Sequence, residues 1–111
     1  MQFKKPKNND KYYWTEHVCG KMIQYGISEQ TVRRIIRNPE RIEEGIAENT
    51  VASMQTRGNK AKYELWCMYQ GSEKKKGQIK VITTWKYPGV SPTRASIPVP
   101  QDIIDELGIV L

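Results

Sequence analysis

Residues 15–39, TEHVCGKMIQYGISEQTVRRIIRNP, constrain the fold more than any other stretch. They read as two helices joined by a tight turn. Thr15 is a good N-cap, because its hydroxyl can accept from a backbone N–H that the first turn leaves free. Val18, Met22 and Tyr25 follow at i, i+4 and i+7, and Cys19 and Ile23 widen that apolar stripe. Gly26 can take the left-handed conformation that closes a helix. Ser28 is a second N-cap, and Val32, Ile35 and Ile36 form a second apolar face with Ile27 at its entry. Asn38-Pro39 ends the second helix, since proline disfavours a helical residue before it. His17, Lys21 and Gln24 on the first helix, and Arg33, Arg34 and Arg37 on the second, are expected on the outer faces.

The rest of the chain reads as strand. Residues 63–70, YELWCMYQ, alternate so that Tyr63, Leu65, Cys67 and Tyr69 share one face and Glu64, Trp66, Met68 and Gln70 the other. Residues 78–87, QIKVITTWKY, place Ile79, Val81, Thr83, Trp85 and Tyr87 on one face and Lys80, Ile82, Thr84 and Lys86 on the other. Residues 50–56 alternate weakly and end at the turn signal Arg57-Gly58-Asn59-Lys60. Residues 41–45 suit a short strand or an irregular link, and Tyr12-Tyr13-Trp14 a small strand ahead of the Thr15 cap. Four of the six prolines lie in residues 88–100, an extended connection. Pro100 then opens a short helix with Ile103, Ile104 and Leu107 apolar and Gly108 as its stop.

The predicted class is α+β: two N-terminal helices packed on one face of an antiparallel three- to four-stranded meander, plus a short C-terminal helix. Residues 1–11 are a basic flexible tail, 12–87 the domain, and 88–111 a proline-rich extension. Helices on one side leave the other face of a meander open. That face would carry Trp66, Met68, Lys80, Ile82, Thr84 and Lys86, a mixture able to stack bases and neutralise phosphates. The preferred disposition is that Ile103, Ile104 and Leu107 of the last helix cover Trp66, Met68 and Ile82, because an open apolar patch of that size is unusual in a monomer.

With 111 residues the chain is one domain's worth. Its 18 Lys and Arg against 12 Asp and Glu give a formal charge of +6, which suits either a solvated surface or a polyanionic partner such as nucleic acid. No apolar run approaches the length of a membrane span, and the basic N-terminus lacks the apolar core of a signal peptide, so a cytoplasmic protein with no membrane contact is expected. Cys19 and Cys67 sit within a helix pattern and a strand pattern and read as buried thiols. Two cysteines and one histidine make a structural zinc site improbable, and neither a metal nor a small-molecule cofactor is expected.

The motif H-x3-K-M-x3-G-I-S, formed by His17, Lys21, Met22, Gly26, Ile27 and Ser28, together with Asn38-Pro39-Glu40 and the late strand VITTW, resembles an uncharacterised RelE-like domain family. The resemblance covers roughly residues 12–87. The chain departs from the family's pattern at Lys21, where arginine is more usual, and from Val90 onward. The resemblance implies a RelE/ParE-like fold and a toxin-type, metal-independent endoribonuclease that directs a ribose 2′-OH at the adjacent phosphate, or a relative that kept the fold without the activity. It also implies RNA, free or on a ribosome, and an antitoxin protein as partners. Such chemistry needs groups to take and give a proton and positive charge at the phosphorane. His17 matches the family's histidine, and Thr83 or Thr84 its strand threonine. His17, Lys86 and Tyr87 are the catalytic candidates. Lys21, Arg33, Arg37, Arg57, Lys80 and Thr84 are the candidates for holding nucleic acid.

Two other classes compete. Residues 28–37 resemble the recognition helix of a helix-turn-helix DNA-binding protein, although residues 1–14 are too short and polar to supply a third helix. A catalytically inactive protein-interaction module is the other. In it, residues 96–109, SIPVPQDIIDELGI, act as a docking helix.

Overall fold

The computed structural model describes residues 3–93 and 95–109. The elements run β1 (Tyr12–Trp14), α1 (Glu16–Tyr25), α2 (Glu29–Arg37), β2 (Arg41–Glu44), β3 (Val51–Arg57), β4 (Tyr63–Gly71), β5 (Ile79–Pro88) and α3 (Gln101–Leu107). The class is α+β, as the periodicity predicts. The sheet has five strands in the order β1-β5-β4-β3-β2. From β2 to β5 it is an antiparallel meander, but β1 pairs parallel to β5, with Tyr12 opposite Ile79 and Trp14 opposite Val81. The sheet is therefore mixed and larger than the expected meander. Alternation within one strand carries no information about the direction of its neighbour.

The helix pair forms where its caps lie. The Thr15 hydroxyl accepts from the Val18 N–H at 3.1 Å and that of Ser28 from Thr31 at 3.2 Å. Gly26, at φ 66°, closes α1 in the left-handed region. Gln55 of β3 donates its side-chain amide to the Asn38 carbonyl at 2.8 Å, which serves the C-terminal end of α2. The pair buries Val18, Cys19, Met22, Ile27, Val32 and Ile35 against Leu65, Cys67 and Val81 of the sheet. Both cysteines are buried free thiols.

The second face is closed as well. Ala52, Met54, Trp66, Met68 and Trp85 pack with Ile103 of α3, and Ile97, Val99 and Leu107 of the extension join them. Of the two dispositions the covered face is the one found, as expected: the extension buries the Trp66 and Met68 surface, which is therefore not free for base stacking. Trp85 also changes sides. The pairing jumps from Met68–Thr83 to Tyr69–Val81, so Ile82 is an extra residue on β5. One extra residue inverts the alternation beyond it. Val81 therefore faces the helices, whereas Trp85 faces the extension and stacks on Trp66 with 5.8 Å between ring centroids.

The extension is held where it leaves the sheet. Glu64 has no exposed surface and accepts from the Trp66 indole at 2.9 Å, the Ser91 N–H at 3.0 Å and the Ser91 hydroxyl at 2.6 Å. Arg41 donates to the Ser91 hydroxyl and the Pro92 carbonyl, and its guanidinium lies over the Trp66 ring. A buried carboxylate is tolerable when it is this fully hydrogen-bonded. No helix of the described residues is long and apolar enough to cross a membrane.

Candidate functional site

Four of the six sequence-predicted cations, Arg33, Arg57, Lys86 and Lys21, fall into three places. The first is a groove of about 880 Å³ between residues 3–9 and the α1–α2 turn, floored by Met22, Ile23 and Ile27 and rimmed by Lys4, Lys7 and Arg33. Arg33 is engaged there: it pairs with Glu29 at 3.1 Å and lies over the Tyr12 ring. The segment bordering the groove is tied down, since Lys5 pairs with Glu16 at 2.7 Å and the Asn8 side chain accepts from the Trp14 N–H at 2.7 Å.

The second place is a pocket of about 250 Å³ that shares Gly26 and Ile27 of the α1–α2 turn with the first and is completed by Tyr25, Thr31, Arg57, Tyr63, Leu65 and Lys86. β3 ends at Arg57, β4 begins at Tyr63, and Lys86 lies near the end of β5. The antiparallel register therefore gathers all three at one end of the sheet. Lys86 lies 4.2 Å over the Tyr63 ring, and Arg57 donates to Gln55 at 2.8 Å. No lining residue is acidic, so both cations keep their charge available. Burial pushes the Tyr25 phenol above its ordinary pKa, and the Asp102 charge adds to this. It therefore stays a protonated donor at neutral pH. Arg57 and Lys86 were among the sequence candidates. Thr31 stands out in the sequence only as a groove residue of the helix-turn-helix reading, and Tyr25 and Tyr63 not as site residues at all; the strand register and the packing of the helix pair bring them in.

The third place surrounds His17. Its Nε2 is 2.9 Å from the Thr83 hydroxyl and its Nδ1 is 3.3 Å from Glu106 of α3. Lys21 lies beside it. The outer-face position expected for Lys21 is corrected: only 4 % of the residue is exposed. Its ammonium donates to Gln24 at 2.9 Å, Asp102 at 3.0 Å and Glu106 at 3.0 Å, a full set of acceptors. Burial pulls Lys21 down, but the hydrogen bonds to Glu106 and Asp102 outweigh it and its pKa stands above the ordinary value. The Lys21 hydrogen bond holds Asp102 below the usual carboxylate range. Burial lowers His17 against the opposing pull of Glu106. Asp102 and Glu106 stand at i and i+4, one face of a helix. That spacing is the sequence signal by which the pair could have been found.

Hydroxyl, imidazole and carboxylate here follow the connectivity of a nucleophile, a base and an orienting acid. Thr83 has no exposed surface, however, so its hydroxyl meets no substrate in this arrangement. Thr84 is also fully buried and donates to the Trp66 carbonyl at 2.6 Å, which places it inside the sheet instead of on a nucleic-acid surface. Tyr87 is half-buried among the side chains under the extension, on the opposite face from Lys86. Lys80 is half-buried opposite Tyr13 of β1, and Arg37 is exposed at the end of α2. Among the described residues no three His, Cys, Asp or Glu side chains stand close enough to hold a metal ion. Comparison with known protein families, characterised proteins and solved structures returned no match to this chain.

Proposed function

We propose that the chain is an RNA-binding protein that seats backbone phosphate in the Arg57–Lys86 pocket. The observation that carries this reading is the convergence of a guanidinium, an ammonium, a hydroxyl and two phenol rings on one pocket that has no acidic residue in its lining. Arg57 presents the planar fork that suits phosphate oxygens. Lys86 adds a point charge, Thr31 and Tyr25 can donate, and the Tyr63 ring offers a face for a base. The helix pair buries its apolar side against the sheet and meets α3 through ion pairs of His17 and Lys21, instead of packing on the apolar face of a third helix. The RNA reading is preferred to the helix-turn-helix alternative on that ground.

The endoribonuclease implied by the RelE-like resemblance is the finer form of the same proposal. His17 would take the 2′-OH proton and the pocket cations would meet the charge on the phosphorane. Both ring nitrogens of His17 are engaged, one by Thr83 and one by Glu106. Binding without cleavage is therefore expected while α3 is docked.

The test is fluorescence anisotropy with labelled single-stranded RNA across a salt series. Arg57→Ala with Lys86→Ala should weaken binding at least about tenfold and flatten the salt slope by about 1.4, two contacts at about 0.7 each for a single strand. Unchanged affinity and slope in that variant would refute the pocket.

A further inference from the structure

We propose that Lys21, His17 and Thr83 form an anion-binding site for a second RNA phosphate, which the chain keeps filled with its own Asp102 and Glu106 carboxylates. The inference rests on the RNA reading above and adds how that site is regulated.

A buried ammonium is strongly disfavoured unless anions and acceptors surround it, so the Lys21 position requires negative charge. Here α1 supplies the ammonium and imidazole, β5 the hydroxyl and α3 both carboxylates. Every acidic group in the cluster thus comes from the extension. The domain through residue 88 contributes an ammonium, an imidazole, a hydroxyl and the Gln24 oxygen, and no carboxylate.

The plug is built to leave. The α3 helix has seven residues, and its Pro100 cap makes no side-chain bond. Helices of that length have little stability of their own. One residue of α3, Ile103, is fully buried. The side chains of Asp102 and Glu106 are 45 % and 47 % exposed, so a competing anion can reach the ion pairs from solvent. Tyr25 lines the Arg57–Lys86 pocket and also packs against the cluster that contains Ile103 of α3. RNA held in the pocket is thereby brought next to the plug. A phosphate can accept from Lys21 as the carboxylates do, and like charge then repels α3. Once Glu106 leaves, the Nδ1 of His17 loses its partner.

The experiment pairs two double variants with amide hydrogen exchange. Asp102→Asn with Glu106→Gln should raise affinity for labelled oligouridylate at least about fivefold. The reference is Asp105→Asn with Glu44→Gln, which changes net charge equally at exposed carboxylates that do not touch Lys21. In the unaltered protein, oligouridylate should accelerate exchange across residues 101–107, a readout that needs no variant to fold. Affinity equal to the reference pair, or exchange in α3 unmoved by RNA, overturns the plug. If the unaltered protein binds through Arg57 and Lys86 while either of those results is obtained, the pocket stands and the plug falls. If the unaltered protein and its Arg57 and Lys86 variant bind alike while both expected results appear, the pocket falls and the plug stands.

Discussion

The sheet face under α1 and α2 and the face under the extension are both dry, yet they are closed by different means. The first is sealed by two capped amphipathic helices that contribute Val18, Cys19, Met22, Ile27, Val32 and Ile35. The second is sealed by a strap whose contribution to the fully buried core is Ile103, supported by the Glu64–Ser91–Arg41 network at one end and the Lys21–Asp102–Glu106 ion pairs at the other. Apolar burial has no competitor in water, whereas exposed ion pairs compete with every dissolved anion. The first face should therefore open only with the whole domain, and the second by itself.

Truncation on each side measures that contrast. Met22→Ala should cost about 3 kcal/mol in denaturant unfolding and raise amide exchange throughout the domain. Ile103→Ala should cost less, about 2 kcal/mol, with the faster exchange concentrated in residues 89–109. Equal costs with uniform exchange would show that the two faces form one cooperative unit. Thr15→Ala tests how the first face is joined to the sheet. The Thr15 hydroxyl caps α1 and also donates to the Val81 and Ile82 carbonyls, so a loss of about 1 kcal/mol in thermal unfolding is expected.

The smallest effect is on pH. The His17 pKa is lowered on folding, so its contribution is complete above the unfolded value near 6.5 and fades as pH falls through the folded value. The Asp102 pKa is also lowered, and its contribution fades at still lower pH. The Lys21 pKa is raised, so its share persists until pH climbs through a value above 10.5. Melting temperature should therefore fall from pH 7 toward pH 4 through His17 and fall further below pH 4, where Asp102→Asn should flatten the slope. Identical slopes would detach the ion pairs from the stability of the second face.

Most of the first face was legible. Thr15, Gly26, Ser28 and Asn38 mark helix ends by local backbone chemistry, and the 3.6-residue spacing of Val18, Met22 and Tyr25 needs no knowledge of the partner surface. The second face depends on facts that no window of sequence holds. Ile82 is an extra residue only in relation to the Met68–Tyr69 step of the neighbouring strand. Trp85 was accordingly assigned to the helix side by unbroken alternation. Lys21 was assigned to solvent because its acceptors lie 81 and 85 residues away. The site divides the same way: Arg57 and Lys86 stand out as cations at strand ends, but their companions Thr31, Tyr25 and Tyr63 become neighbours only through folding.

The rims of the sheet have a bearing on how molecules of this chain meet one another. A bare strand edge is a template for a second chain. On one side β1 protects β5 only as far as Val81, and the Thr15 hydroxyl occupies the next carbonyls while α1 packs alongside. On the other side β2 is four residues long and carries Arg41, Glu43 and Glu44. Neither border offers a long uncharged ladder, so concentrated solutions should resist edge-to-edge polymerisation for as long as Thr15 keeps its place.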